Sequence, residues 1–230
     1  IVGNITGGSA AAAYGVQVTT GNATVPSTIT GGTNATAYGM YLSSSGTITG
    51  NGAIVAGSAN SVGIYVNNAG AMLAGTFASS TGGSATGTSG IEVNAGAGWT
   101  VTITTITGGS NATAYGLYWQ AATNSPTITG DAQGVVAPGL RSTGTGTVTL
   151  VGISKASTGA TNNTPGVNNG SSGQIIVSGY EYGDYGQPPT SGLRVFVASS
   201  AAATCKVYQS DHATNTTLDA TGGGVIVIED

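Results

Sequence analysis

ITGGTNATAYGMY runs from Ile29 to Tyr41, and ITGGSNATAYGLY runs from Ile106 to Tyr118. The two stretches differ only at Thr33/Ser110 and Met40/Leu117, and both changes are conservative. Degenerate copies fill the chain to about residue 170. A repeat of this kind means stacked units, because each copy must bury its apolar face on the next.

The clearest mark of each copy is a glycine followed by an apolar residue. It occurs at Gly15-Val16, Gly39-Met40, Gly63-Ile64, Gly90-Ile91, Gly116-Leu117, Gly139-Leu140 and Gly166-Val167, spaced 23 to 27 residues apart. Period-2 alternation follows in Val16/Val18, Met40/Leu42, Ile64/Val66, Ile91/Val93 and Leu117/Trp119. That alternation predicts a strand with these residues inward and Gln17, Tyr41, Tyr65, Glu92 and Tyr118 outward.

A second strand is predicted at Thr-Ile-Thr-Gly, found at Thr28–Gly31, Thr47–Gly50, Thr105–Gly108 and Thr127–Gly130, with weaker copies at Asn4–Gly7, Leu73–Gly75 and Leu150–Gly152. Its distance from the preceding marker varies, with its isoleucine 9 to 16 residues on. Loops are expected between the two strands, as at Thr19–Val25 and Asn94–Trp99. Pro26 and Pro126 precede two of these strands, where a missing N–H costs little. A helical reading fails, because 41 glycines and many Thr, Ser and Asn leave no sustained 3.6-residue stripe.

Short strands, corner glycines and a period of about 25 residues predict an all-β chain, a parallel β-helix or β-solenoid of about seven coils. Residues 1–173 form the repeat domain, and residues 174–230 are read as a small β-rich C-terminal cap or assembly module. Six of the eight acids lie in that second part, and its strands alternate conventionally. Its last run, Val225, Ile226, Val227 and Ile228, is apolar on both faces and must be buried by its own chain or by a neighbour. It is the candidate assembly contact.

The marker strand, as in Gly39-Met40-Tyr41-Leu42 or Gly63-Ile64-Tyr65-Val66, followed by a corner and a Thr-Ile-Thr-Gly strand, resembles the right-handed parallel β-helix (pectin-lyase-like) proteins. The resemblance covers about residues 1–170 and rests on repeat grammar. It implies the fold. The superfamily holds polysaccharide lyases, phage tailspikes, autotransporter passengers and filamentous adhesins, so it does not fix an activity.

Charged residues make up 5% of the chain, against about 25% in an ordinary globular domain. Four cations, Arg141, Lys155, Arg194 and Lys206, do not make a phosphate-tracking surface, which argues against nucleic acid as a partner. So weakly charged a surface favours self-association. The lone Cys205 forms no internal disulfide and reads as a small buried side chain. No apolar run of about 18 residues predicts membrane insertion. The chain opens on Ile1 without a signal-peptide pattern and is read as a processed or trimmed product.

An enzyme on this fold needs clustered carboxylates, often with a metal and a base. The coils offer only Glu92 and Asp131, which the repeat places on different faces as solvated residues. The sole histidine, His212, lies in a loop beside Asp211, and neighbours in sequence rarely face one another. No nucleotide, metalloprotease or hydrolase motif occurs. The expectation is a non-enzymatic protein without cofactor or metal.

Tyr41, Tyr65 and Tyr118 share one outward repeat position and are the candidate glycan-binding residues, with a stabilising cross-strand stack as the plainer role. Tyr14, Tyr38 and Tyr115, just before the glycine, are expected to turn into the corner. The Thr-x-Thr pairs would line one flat face, as in ice-binding solenoids, though Thr also simply suits an exposed strand. Seven Asn-x-Ser/Thr triplets, at Asn4, Asn22, Asn34, Asn111, Asn162, Asn169 and Asn215, are glycosylation candidates. The chain is therefore read as a structural or adhesive solenoid of an extracellular, cell-surface or virion assembly, self-associating as an oligomer or filament. A glycan-binding adhesin or receptor-binding fibre is the alternative, and an ice binder the third reading.

Overall fold

The computed structural model describes residues 3–25, 27–34, 36–58, 60–85, 87–95, 99–111, 113–121, 125–156 and 166–178, with strand backbones at 181–182, 193–198, 204–207, 216–219 and 225–228. Every regular element among them is a strand, and every strand pairing is parallel, in a β-solenoid of about six turns. Six successive pairings carry Val16 to Met40, Ile64, Ile91, Leu117, Leu140 and Val167, one turn each. At a rise of roughly 4.8 Å per turn these six turns span about 29 Å.

Each coil has three strand positions. The marker strands, Val16–Val18 through Val167–Asn169, form the first ladder. Ala23–Val25 and Gly46–Gly50 begin a middle ladder, and Ile5–Thr6, Ile29–Thr30 and Ala53–Val55 a third. The middle and third positions fuse into single long strands at Ala71–Thr81, Thr100–Thr107 and Thr127–Gly134. They separate again as Thr147–Val151 and Ser154–Ala156.

Three positions instead of two explain the uneven spacing. Thr28–Gly31 and Thr105–Gly108 belong to the third ladder, whereas Thr47–Gly50 and Thr127–Gly130 belong to the middle one. One sequence signature therefore serves two places, since both need an inward isoleucine and a glycine at the bend. The expected single Thr face is corrected accordingly: the Thr-x-Thr pairs are divided between two ladders, and Met72, Ala74 and Val55 interrupt them. Likewise the expected loop Thr19–Val25 contains the strand Ala23–Val25.

The core is a set of stacked columns. Met40, Ile64, Ile91, Leu117, Leu140 and Val167 are all fully buried. Burying each such side chain stabilises by about 1.5–3 kcal/mol. The third ladder's inward column reads Ile5, Ile29, Ile54, Ser80, Ile106, Ala132 and Ser154. Its two serines are fully buried, and their hydroxyls donate to the Gly90 carbonyl at 2.7 Å and the Gly166 carbonyl at 2.9 Å. Each bond satisfies a buried hydroxyl and ties the two sides of a corner together.

The marker glycines are required by space. A Cβ on Gly39 would lie 2.7 Å from the Gly63 carbonyl oxygen and 2.8 Å from Ile54 Cγ2; on Gly116 it would lie 2.6 Å from the Gln133 nitrogen. At these points the backbone of the first ladder meets the backbone of the third. Gly75, by contrast, takes a φ of +90° at the bend between middle and third positions, which favours glycine on conformational grounds.

Strand pairing continues beyond residue 174, the start of the expected C-terminal module. Gln174–Val177, Thr204–Val207 and Val225–Ile228 extend the middle ladder in register, with Cys205 at the rung between Ile175 and Ile226. Leu193–Ala198 and Thr216–Asp219 extend the first. Val225–Ile228 is thus the last strand of its ladder, with Val225 about half exposed.

Candidate functional site

The outward positions of the first ladder form one column: Gln17, Tyr41, Tyr65, Glu92, Tyr118, Arg141 and Asn168. Successive side chains share a face one turn apart because the register never slips across these rungs. Tyr41 and Tyr65 pack with ring centroids 5.6 Å apart and their planes tilted by 31°. Tyr118 stands two rungs beyond Tyr65, with Glu92 between them.

The tyrosines before the marker glycine do not turn away into the corner. Tyr14 and Tyr38 stack on each other at 5.6 Å and lie 4.8 and 5.6 Å from Tyr41, and Tyr38 is 4.7 Å from Tyr65. Tyr115 likewise meets Tyr118 at 5.0 Å. Residues before the glycine and two after it are brought to one side by the bend, so they make a single wall of two aromatic groups. Within the larger group only Tyr14 and Tyr38 are stacked, and the other contacts are tilted or edge-to-face.

The two groups are finished by polar side chains. Arg141 lies 5.2 Å from the centre of the Tyr115 ring and donates from Nη1 to the Tyr115 hydroxyl at 2.8 Å. Glu92 is half-buried, correcting its expected role as a solvated residue, and accepts from Gln120 Nε2 at 2.8 Å. Gln120 also donates to Asn94 Oδ1, and Asn94 Nδ2 donates to the Tyr65 hydroxyl. Loss of water pushes the Glu92 carboxyl above its usual value, and the Gln120 bond opposes that rise. Burial, then the charge of neighbouring groups including Tyr65 and Glu92, pushes Tyr38 up to about 12.

Asp131 is far from this wall in the fold. It sits on the third ladder beside Thr105, and its Oδ1 accepts from the Ile153 backbone N–H at 3.0 Å. Glu92 and Asp131 are therefore on separate faces, as the repeat predicts. His212 lies outside the described residues. Among the described residues no group of three His, Cys, Asp or Glu side chains is placed to hold a metal ion. Among them, too, no helix is long and apolar enough to cross a membrane. Asn169 is fully buried and donates from Nδ2 to the Gly173 carbonyl at 2.7 Å, so its triplet does not present a free glycosylation acceptor.

The wall's members that the sequence reading missed are Tyr14, Tyr38, Asn94, Tyr115, Gln120 and Arg141. A signal for Arg141 was present: like Glu92, it falls two residues after a marker glycine, in register with the tyrosines. No protein-family model matches the chain, and comparison with curated proteins and with solved structures gives no match either.

Proposed function

We propose that this chain is a non-enzymatic structural and adhesive solenoid of an extracellular, cell-surface or virion assembly, self-associating into fibres or oligomers. The observation that carries the reading is the in-register parallel ladder itself, about six turns long with almost uncharged hydroxyl-rich walls. Stacked turns resist bending, and a wall with few charges approaches a like wall without strong repulsion. This is the type of element that adhesins, tailspikes and autotransporter passengers use, and the likeness is one of repeat grammar. Light scattering across a concentration series, with negative-stain microscopy, tests it. Concentration-dependent oligomers or filaments are expected; a strict monomer at high concentration overturns the assembly part.

A second reading, a glycan-binding adhesin, is favoured by one observation: hydrogen-bonding groups of Glu92, Asn94 and Gln120 adjoin the rings of Tyr65 and Tyr118. Replacing Tyr41, Tyr65 and Tyr118 together by alanine is expected to abolish glycan-array signal in a folded protein. An unchanged signal ends that reading.

A further inference from the structure

Over the seven rungs from Gln17 to Asn168 the outward column of the first ladder holds one acid, Glu92, and aromatic side chains stand on the rungs to either side of it. Tyr65 precedes Glu92 and Tyr118 follows it, each one rung away at roughly 4.8 Å. Gln120 holds one carboxylate oxygen of Glu92, and the carboxylate has no other hydrogen-bond partner among the described residues. The two described cations do not neutralise it. Arg141 is two rungs away and engaged with Tyr115, and Lys155 sits on the third ladder beside Gln133.

The same wall already receives a cation at its other aromatic group, where the Arg141 guanidinium lies over Tyr115. Ring faces attract positive charge, and a half-buried carboxylate adds a full opposite charge. The Glu92 rung offers both. A neutral sugar would use the hydrogen bonds but leave the charge uncompensated.

We propose that the Glu92 rung, walled by Tyr65 and Tyr118, binds an organic ammonium group, either a quaternary ammonium of the choline type or the protonated amine of an amino sugar. Glu92 supplies the counter-charge, the two rings supply faces for the N-methyl or C–H surface, and Asn94 and Gln120 fix the carboxylate. The inference rests on the reading of the tyrosine wall as a ligand surface. The groups facing Glu92 are Tyr65 on the preceding strand, Tyr118 on the following strand and Tyr38 from the corner, with Arg141 beyond Tyr118. Burial raises the carboxyl, so on acidification ammonium binding weakens at a higher pH than it would at an exposed glutamate.

Calorimetry on the full chain tests this with three probes: choline, a glucosamine oligomer and the N-acetylated form of that oligomer. Choline or the glucosamine oligomer is expected to bind, and the neutral oligomer about tenfold more weakly or worse. Binding of only one ammonium probe identifies which source the site takes. Glu92→Gln is expected to lower ammonium affinity by about the same factor while the melting temperature stays near that of the parent, and Tyr65→Leu or Tyr118→Leu to weaken it as well. Equal affinity for the neutral oligomer, or an unaffected Glu92→Gln variant, overturns the ammonium site while leaving glycan binding standing. If neither ammonium probe binds, the inference falls, and the glycan array then decides the wider reading independently.

Discussion

Residues 29–41 and 106–118 are near copies, yet their tyrosines keep different company. Tyr38 and Tyr41 join Tyr14 and Tyr65 in a group of four rings. Tyr115 and Tyr118 form a pair that ends on Arg141. Inward the two copies are alike in burial and crowding: Ile29 and Ile106 are both fully buried, and Gly39 and Gly116 are equally crowded, although Ile29 lies between Ile5 and Ile54 and Ile106 between Ser80 and Ala132. In a solenoid, a repeat's own sequence sets what it does inward, and the turns above and below decide what its outer face becomes.

The largest effects should show the inward equivalence. Ile29→Ala and Ile106→Ala are each expected to cost about 4 kcal/mol in denaturant unfolding, since both empty a filled column. A negligible loss at either one breaks the match. Gly39→Ala and Gly116→Ala come next, at about 2 kcal/mol each, because the added methyl meets backbone that cannot move aside. A neutral result at Gly116 would mean that the approach of the two backbones is looser there.

Outward, the copies should diverge. Tyr41→Ala removes contacts with three rings and is expected to cost about 2 kcal/mol, whereas Tyr118→Ala removes one and should cost about 1 kcal/mol. Equal losses would show the larger group to be no more than neighbouring rings.

The two groups also differ in titration. The Tyr38 phenol is pushed from 10.0 to about 12, so between those values the unfolded chain loses a proton that the folded one keeps. Stability therefore falls as pH rises through that window. Phenolate absorbance followed alongside unfolding checks both the value and the sign. Tyr115 differs because Arg141 opposes the upward push of burial, so Arg141→Gln should move its titration higher.

The inward columns were legible because glycine and an apolar residue recur at a nearly fixed interval, and only a stacked turn needs that. The third strand position was not legible: Thr-Ile-Thr-Gly marks two different places, and nothing within those four residues tells them apart. The wall was half legible. Tyr41 and Tyr65 announce themselves by position, but Tyr38 gives no local sign that the bend brings it alongside. The partners of Glu92 lie in other turns, with Gln120 28 residues away, and a residue judged by its neighbours in sequence looks solvated.

The crowding at the marker glycines bears on how this molecule's length can change. Every turn passes through the same narrow joint, and the rungs on either side repeat in kind. Excising residues 40–63 would join Gly39 to Ile64, set that isoleucine on Val16, and shorten the rod by one rise of roughly 4.8 Å. The number of turns can therefore be edited in whole units, with the cross-section left as it was.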